Sequence, residues 1–208
     1  MATNLKPETI KVMEERHSVR AYESFQMPEE DLNAILTAAG TAPSSWNLQH
    51  WKFMVIQDPA LKQELLPIAN NQQQVVDSSV TIAVLGDLEA NLNAPLIYDA
   101  AVKAGAMTQE VRDIMISQIE GAYQNAQIAR DEAIRNASLA AMQLMLAAKS
   151  LGYDSVPMGG FNAQKFIEQF NVPARYIPVL LISIGKAKKP AHESGRFPLS
   201  QIVVKGKF

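Results

Sequence analysis

The chain has no cysteine among its 208 residues. Disulfides, thiolate nucleophiles and cysteine-ligated metals are excluded together, and the composition suits a reducing compartment. Charge of one sign is also missing. Its 19 basic and 21 acidic residues leave a formal net charge of −2 and are interleaved, so no broad basic face is offered to nucleic acid or anionic lipid. Neither is expected as a partner. Long apolar runs are absent as well: the most hydrophobic stretch, Ala137 to Ala148, is interrupted by Gln143 and closed by Lys149. That is well short of the roughly 20 residues that span a bilayer. The opening residues lack the apolar core of a signal peptide, so a cytoplasmic protein without membrane attachment is expected. Common enzyme motifs do not occur either: there is no G-x-G-x-x-G after a strand, no G-x-x-x-x-G-K-[ST], no G-x-S-x-G and no H-E-x-x-H. These absences disfavour a Rossmann dehydrogenase, a P-loop enzyme, a serine hydrolase and a zincin. His17, His50 and His192 are scattered, and no metal site is expected.

What is present is enough to bury a substantial core, since 48% of the residues are hydrophobic, and the length fits one domain over 1–208. Helices are predicted for Pro7 to Glu15 and for Pro28 to Ala39, the second with three acids in its first turn and Gly40 after it. Trp51 to Ile56, Val80 to Leu85 and Tyr176 to Ile184 read as strands, and Asp154 to Met158 as a short extended piece. Asp58-Pro59 opens a helix that Pro67 should end or kink. A long helical region from Thr108, with a break near Gly121, runs to Leu151 with Gly152 as its cap. Its second half is apolar nearly all round and must be enclosed by sheet, helices or a partner subunit. Asn162 caps a helix to Phe170, and the tail holds a possible strand at Gln201 to Val204. Strands and helices do not alternate strictly, so the fold class is α+β.

Three segments carry candidate chemistry. Arg16-His17-Ser18-Val19-Arg20 places two guanidinium groups and a hydroxyl just after a helix, a set that can fork onto a phosphate monoester. It could equally complement the helix C-terminus. Pro43-Ser44-Ser45-Trp46-Asn47 offers hydroxyls and amides on a proline-stiffened loop, or is an ordinary turn. Pro157-Met158-Gly159-Gly160 follows a predicted strand, and its glycines either let backbone N–H groups approach a flat ligand or form a plain tight turn.

In this order the segments resemble the nitroreductase family of FMN enzymes. The resemblance is carried by R-H-S-V-R at 16–20, A-P-S-S-W-N-L-Q-H-W-K-F at 42–53, N-Q-Q-Q-V-V-D-S-S at 71–79, N-A-S-L-A-A-M-Q-L-M-L-A-A-K-S-L-G-Y-D-S at 136–155, P-M-G-G-F at 157–161 and G-R-F-P-L at 195–199. It implies a mainly antiparallel sheet flanked by helices in an intertwined homodimer. It further implies that Arg16, Ser18, Arg20 and Arg196 hold the FMN phosphate, with His17 against the ribityl and ring edge. Pro43, Ser44, Ser45 and Asn47 would come from the other subunit. Asn71 and Gln74 would face the pyrimidine side of the ring. Pro157, Met158, Gly159 and Gly160 would line the opposite side, with a backbone N–H of Gly159 or Gly160 near the flavin N5 and no catalytic side chain. NADH or NADPH would be a transient electron donor, and a nitroaromatic, quinone or other small electron-poor molecule the acceptor. Two alternatives are a reductase of one specific metabolite, such as an activated alkene or free flavin, and a non-catalytic FMN-binding or redox-sensing protein.

Overall fold

Three short apolar runs and the extended segment at 154–158 assemble the sheet in a computed structural model that describes residues 7–207. The first six residues and Phe208, which the reading of the two termini includes, lie outside the described residues. The strands are β1 (Trp51–Ile56), β2 (Val80–Asp87), β3 (Asp154–Met158) and β4 (Tyr176–Gly185), in the order β1-β2-β4-β3 with every pair antiparallel. The α+β assignment and the antiparallel sheet are as expected; β1, β2 and β4 fall on the predicted apolar runs and β3 on the short extended piece at 154–158. β2 is buried along its whole length, as a central strand covered on both faces must be.

Helix α1 (Glu8–Glu15) leads into the 16–20 segment, and α2 (Glu29–Gly40) starts behind Pro28 with Glu29, Glu30 and Asp31 in its first turn. Helix α3 (Pro59–Ile68) is capped by Asp58, whose carboxylate accepts from the Ala60 and Leu61 N–H groups, and it stops one residue past Pro67. A single turn, α4 (Gln74–Asp77), precedes β2. The weakly patterned stretch after β2 forms a 3-10 turn at Ala90–Asn93 and α5 (Ala94–Lys103). The long helical region divides into α6 (Gln109–Tyr123) and α7 (Ala126–Ser150), not at Gly121 but at Asn125, whose side chain accepts from the Gln127 N–H. Gly152 ends α7 at φ 81°, a left-handed conformation that favours glycine. Asn162 caps α8 (Ala163–Gln169) by accepting from the Lys165 N–H.

The tail departs from expectation. Gln201 and Ile202 end a helical turn, α9 (Leu199–Ile202), and no strand forms at 201–204. Strand propensity counts only beside another strand, and this segment has no such neighbour among the described residues. Its side chains Phe197, Leu199, Ile202, Val203 and Val204 are all exposed.

The main core lies between the sheet and α2 and α7, with Ile35, Ile82, Val84, Leu144 and Ile182 fully or nearly fully enclosed. Helix α7 presses closest at Gly86, where a Cβ would lie 2.9 Å from the Ala133 carbonyl oxygen. One face of its apolar half is buried through Ala137, Ala140, Ala141, Leu144 and Ala148, while Leu139 and Met142 on the other face remain exposed. No helix among the described residues is long and apolar enough to cross a membrane, and none of their His, Asp and Glu side chains group to hold a metal.

Candidate cofactor site in two halves

The first half is built along the free edge of β3. Segment 16–20 runs beside that strand: Ser18 and Ser155 form an isolated parallel bridge, and the Val19 N–H donates to the Ser155 carbonyl at 3.2 Å. Arg16 is half-buried, and its Nη1 is enclosed with no hydrogen-bond partner. An enclosed guanidinium nitrogen without an acceptor costs about 1–3 kcal/mol or more, so it marks a place where an acceptor belongs. The Arg16 backbone N–H closes α1 on the Val12 carbonyl at 3.0 Å, but its guanidinium donates to no carbonyl of that helix, so the side chain does not serve as a hydrogen-bonding cap. Ser18 is half-buried, and Arg20 and His17 are exposed. Arg20 Nη1 donates to the Ser18 carbonyl at 3.2 Å, leaving most of its fork free.

At the other end of β3, about 10 Å away for three extended residues, lies the glycine strip. Pro157 is half-buried, Met158 is buried, and Gly159 and Gly160 are exposed. The carbonyl of Gly160 accepts from Asn70 Nδ2 at 2.7 Å and from Gln72 Nε2 at 3.0 Å. Those two amides pin the strip from one side, and the N–H groups of Gly159 and Gly160 meet no acceptor among the described residues. A Cβ at Gly159 would meet nothing within 4 Å. Gln74 is buried and donates from Nε2 to Gln72 Oε1 at 3.1 Å and to Met158 Sδ at 3.4 Å. Asn71 is exposed in the left-handed region at φ 56°, next to Asn70 at φ 55°. Arg16, Ser18, Arg20, Asn71, Gln74 and the strip thus share one edge of the molecule. Arg196 is exposed and has no hydrogen bond to any of them, its guanidinium donating to Ser194 and Gly195 beside it.

The second half is the loop before β1, at the opposite edge. β1 and β3 are the outer strands, so three strand spacings, about 14 Å, separate them. Within the loop, Trp46, Asn47 and Gln49 all have positive φ, at 52°, 57° and 53°. Such a conformation costs a non-glycine residue roughly 1–2 kcal/mol and is rare for a bulky side chain. External bonds hold it. Tyr98 Oη donates to the Trp46 carbonyl at 3.0 Å, and Asn93 Nδ2 to the Leu48 carbonyl at 2.9 Å. The Gln49 N–H donates to Ser44 Oγ at 3.0 Å. Ser45 points inward, its N–H to Asn136 Oδ1 at 2.9 Å and its Oγ to Glu132 Oε2 at 2.5 Å. Pro43 and Asn47 are exposed and Ser44 is half-buried.

Glu132 is buried on α7, yet it also accepts from Asn136 Nδ2 at 2.9 Å and pairs with Arg135. Burial acts to raise its carboxyl pKa, but the hydrogen bonds from Ser45 and Asn136 and the Arg135 charge outweigh that and hold it below the usual carboxylate range. His50 lies behind the loop, fully buried, neither ring nitrogen having a partner, stacked at 6.5 Å on Tyr123. Burial pushes its pKa down against the opposing pull of Glu132 and Asp87, so the ring is neutral. Glu132 and Asn93 were not singled out from the sequence, and Asn136 entered only as the first residue of the 136–155 segment. Glu132 and Asn136 did leave a signal there, two polar residues four apart on a face otherwise made of Ala129, Ala133, Ala137 and Ala140.

A four-stranded antiparallel sheet with a cationic edge, a strip of free backbone donors and a rigid loop on the far edge defines an α+β protein suited to a flat, phosphorylated ligand. The profile of the Nitroreductase family matches residues 13–186, and the chain belongs to that family. It is 51% identical over 195 residues to YodC of Bacillus subtilis, whose name places it among NAD(P)H nitroreductases, covering 93% of this chain and 96% of that one. It is 39% identical to an Exiguobacterium sibiricum protein, described as a nitroreductase, whose crystal structure is a complex with FMN. The two superimpose with a TM-score of 0.89 over 99% of this chain and 100% of that one. The CLA biosynthesis enone reductase of Lactiplantibacillus plantarum is 31% identical over 87% of each chain.

Proposed function

We propose that the chain is an FMN-dependent NAD(P)H oxidoreductase that works as a homodimer on nitroaromatics, quinones or related small electron-poor acceptors, with ping-pong turnover. The observation that carries this reading is the pairing, along β3, of an idle buried Arg16 nitrogen with free N–H groups at Gly159 and Gly160. That spacing suits a phosphate at one end and a flavin ring at the other. When bound, FMN supplies a ring nitrogen that accepts hydride from the nicotinamide and passes the electrons on. Arg16, Ser18 and Arg20 hold the phosphate, and Asn71 and Gln74 face the pyrimidine side. The pinned strip presents backbone donors to the ring edge. No titratable side chain stands on that strip, so no residue of it acts as acid or base.

The homodimer rests on the same geometry. Within a protomer the two halves stand at opposite edges of the sheet with two strands between them, whereas two chains could each lend a loop to the other's strip. The exposed tail and the exposed face of α7 give such an association apolar surface to bury. A second reading, reduction of an activated alkene, is favoured by the likeness to the enone reductase.

The purified protein should be yellow, and acid should release FMN rather than FAD. Stopped-flow mixing with NADH or NADPH should bleach the flavin, and double-reciprocal plots at several acceptor concentrations should be parallel. A colourless protein that takes up no FMN would refute the reading, and an acceptor panel separates quinones and nitroarenes from enones. Sedimentation showing a flavin-loaded monomer would remove the dimer.

A further inference from the structure

We propose that Tyr98 and Glu132 are positioning residues of the cofactor site: together they fix the turn at residues 44–49 in the left-handed backbone that presents Pro43, Ser44 and Asn47 to FMN bound by the partner subunit. The inference rests on the FMN reading above and concerns two residues which that reading leaves without a role.

Three residues of the turn have positive φ, and Trp46 and Gln49 are types with little tendency to adopt it. The turn therefore cannot keep its shape through its own propensities. Tyr98 is buried with 5% of its surface exposed, and its hydroxyl donates only to the Trp46 carbonyl, on the residue where the backbone departs most from its preferences. Glu132 is a carboxylate buried on a helix face otherwise lined by alanine. Such a group persists in a core only where bonds compensate its lost hydration. Its bonds run to Ser45, to Asn136, which itself accepts the Ser45 N–H, and to the exposed Arg135. Both polar groups of Ser45 that could donate are therefore committed to α7. Ser45 is the anchor of the turn, and the contacts with a cofactor fall to its neighbours.

Helix α7 packs so close to β2 at Ala133 that a Cβ on Gly86 would lie 2.9 Å from the Ala133 carbonyl oxygen, which leaves the helix no room to move towards the sheet. The post on which Ser45 hangs is thus set against the sheet, and Tyr98 approaches the turn from α5 on a second side. The two attachments belong to different helices, so each can be removed separately.

The test is FMN titration of the apoprotein by quenching of flavin fluorescence, with Tyr98→Phe, Glu132→Leu and Glu132→Gln beside wild type. Tyr98→Phe and Glu132→Leu should each weaken FMN binding about tenfold, the scale of one lost hydrogen bond of a buried group. Both should also change the visible spectrum of the bound flavin, which loss of stability elsewhere would not. Glu132→Gln keeps an acceptor for Ser45 Oγ and should return affinity to within about threefold of wild type. Tyr98→Phe leaves no cavity and decides the matter if Glu132→Leu does not fold. Wild-type affinity and spectrum in Tyr98→Phe and in a folded Glu132→Leu, or Glu132→Gln binding as weakly as Glu132→Leu, would overturn the inference. If Arg16→Ala weakens binding while these variants do not, only this inference fails; wild-type protein that takes up no FMN defeats both it and the reading beneath it.

Discussion

The two edges of the sheet prepare for a ligand in opposite ways. At the β1 edge the loop is strained and fully braced, with Tyr98, Asn93, Asn136 and Glu132 each bonded to it. At the β3 edge the important groups are idle: Arg16 Nη1 has no acceptor, and the Gly159 and Gly160 N–H groups have none either. One half bears its conformational cost before any ligand arrives. The other leaves polar groups unpaired until one does. Rigidity at the first therefore gives shape, and unsatisfied donors at the second give affinity.

The largest expected effect tests the second part of that contrast. Arg16→Ala should weaken FMN binding about ten- to hundredfold, the range of one charge-assisted bond. The apoprotein should be no less stable than wild type, since the substitution removes an unpaired buried nitrogen. Titration together with thermal unfolding checks both, and a large fall in apoprotein stability would show that Arg16 is already bonded within the fold.

A smaller effect should come from the base of the β1-edge loop. His50 has its folded pKa lowered by burial, whereas in the unfolded chain it titrates near about 6.5. The unfolded chain therefore takes up the proton first. The stability that depends on neutral His50 is complete above about pH 6.5 and is lost as pH falls from there towards the folded pKa, with a slope approaching about 1.4 kcal/mol per pH unit. His50→Phe should flatten the denaturation midpoint across that window. The same slope in both proteins would assign the effect to other groups.

The smallest effect concerns the open side of the strip. Gly159→Glu meets no atom within 4 Å at its Cβ, so FMN should stay bound while bulky acceptors lose roughly three- to tenfold more activity than small quinones. Loss of the flavin itself would mean that the strip does not face the ring as proposed.

Strands β1, β2 and β4 were legible because each is a short apolar run with a clear stop, while β3, D-S-V-P-M, showed only as an extended piece; the 16–20 and 157–160 segments were legible because their residue types are unusual together. The break expected near Gly121 falls a few residues later, between Tyr123 and Ala126, since Gly121 is tolerated inside a helix and the deciding event is the Asn125 cap. A single turn such as Gln74–Asp77 is too short to show a period. The tail was read as a strand from Ile202, Val203 and Val204, but a strand needs a partner that propensity cannot supply. In the loop, sequence showed polar residues but not their direction. Ser44 and Ser45 look alike in the chain, yet one accepts from a neighbouring N–H and the other is tied to a helix nearly ninety residues away.

That the two halves stand at opposite edges of one sheet has a thermodynamic consequence for the divided site. If each flavin is held by both subunits, as proposed, cofactor binding and chain association are linked equilibria: whatever factor dimerisation adds to flavin affinity, flavin must add to dimerisation. Dilution would then release cofactor without any chemical change, and free FMN would shift the sedimentation of the apoprotein towards the dimer. The protein's own concentration would act as an effector of its reactivity.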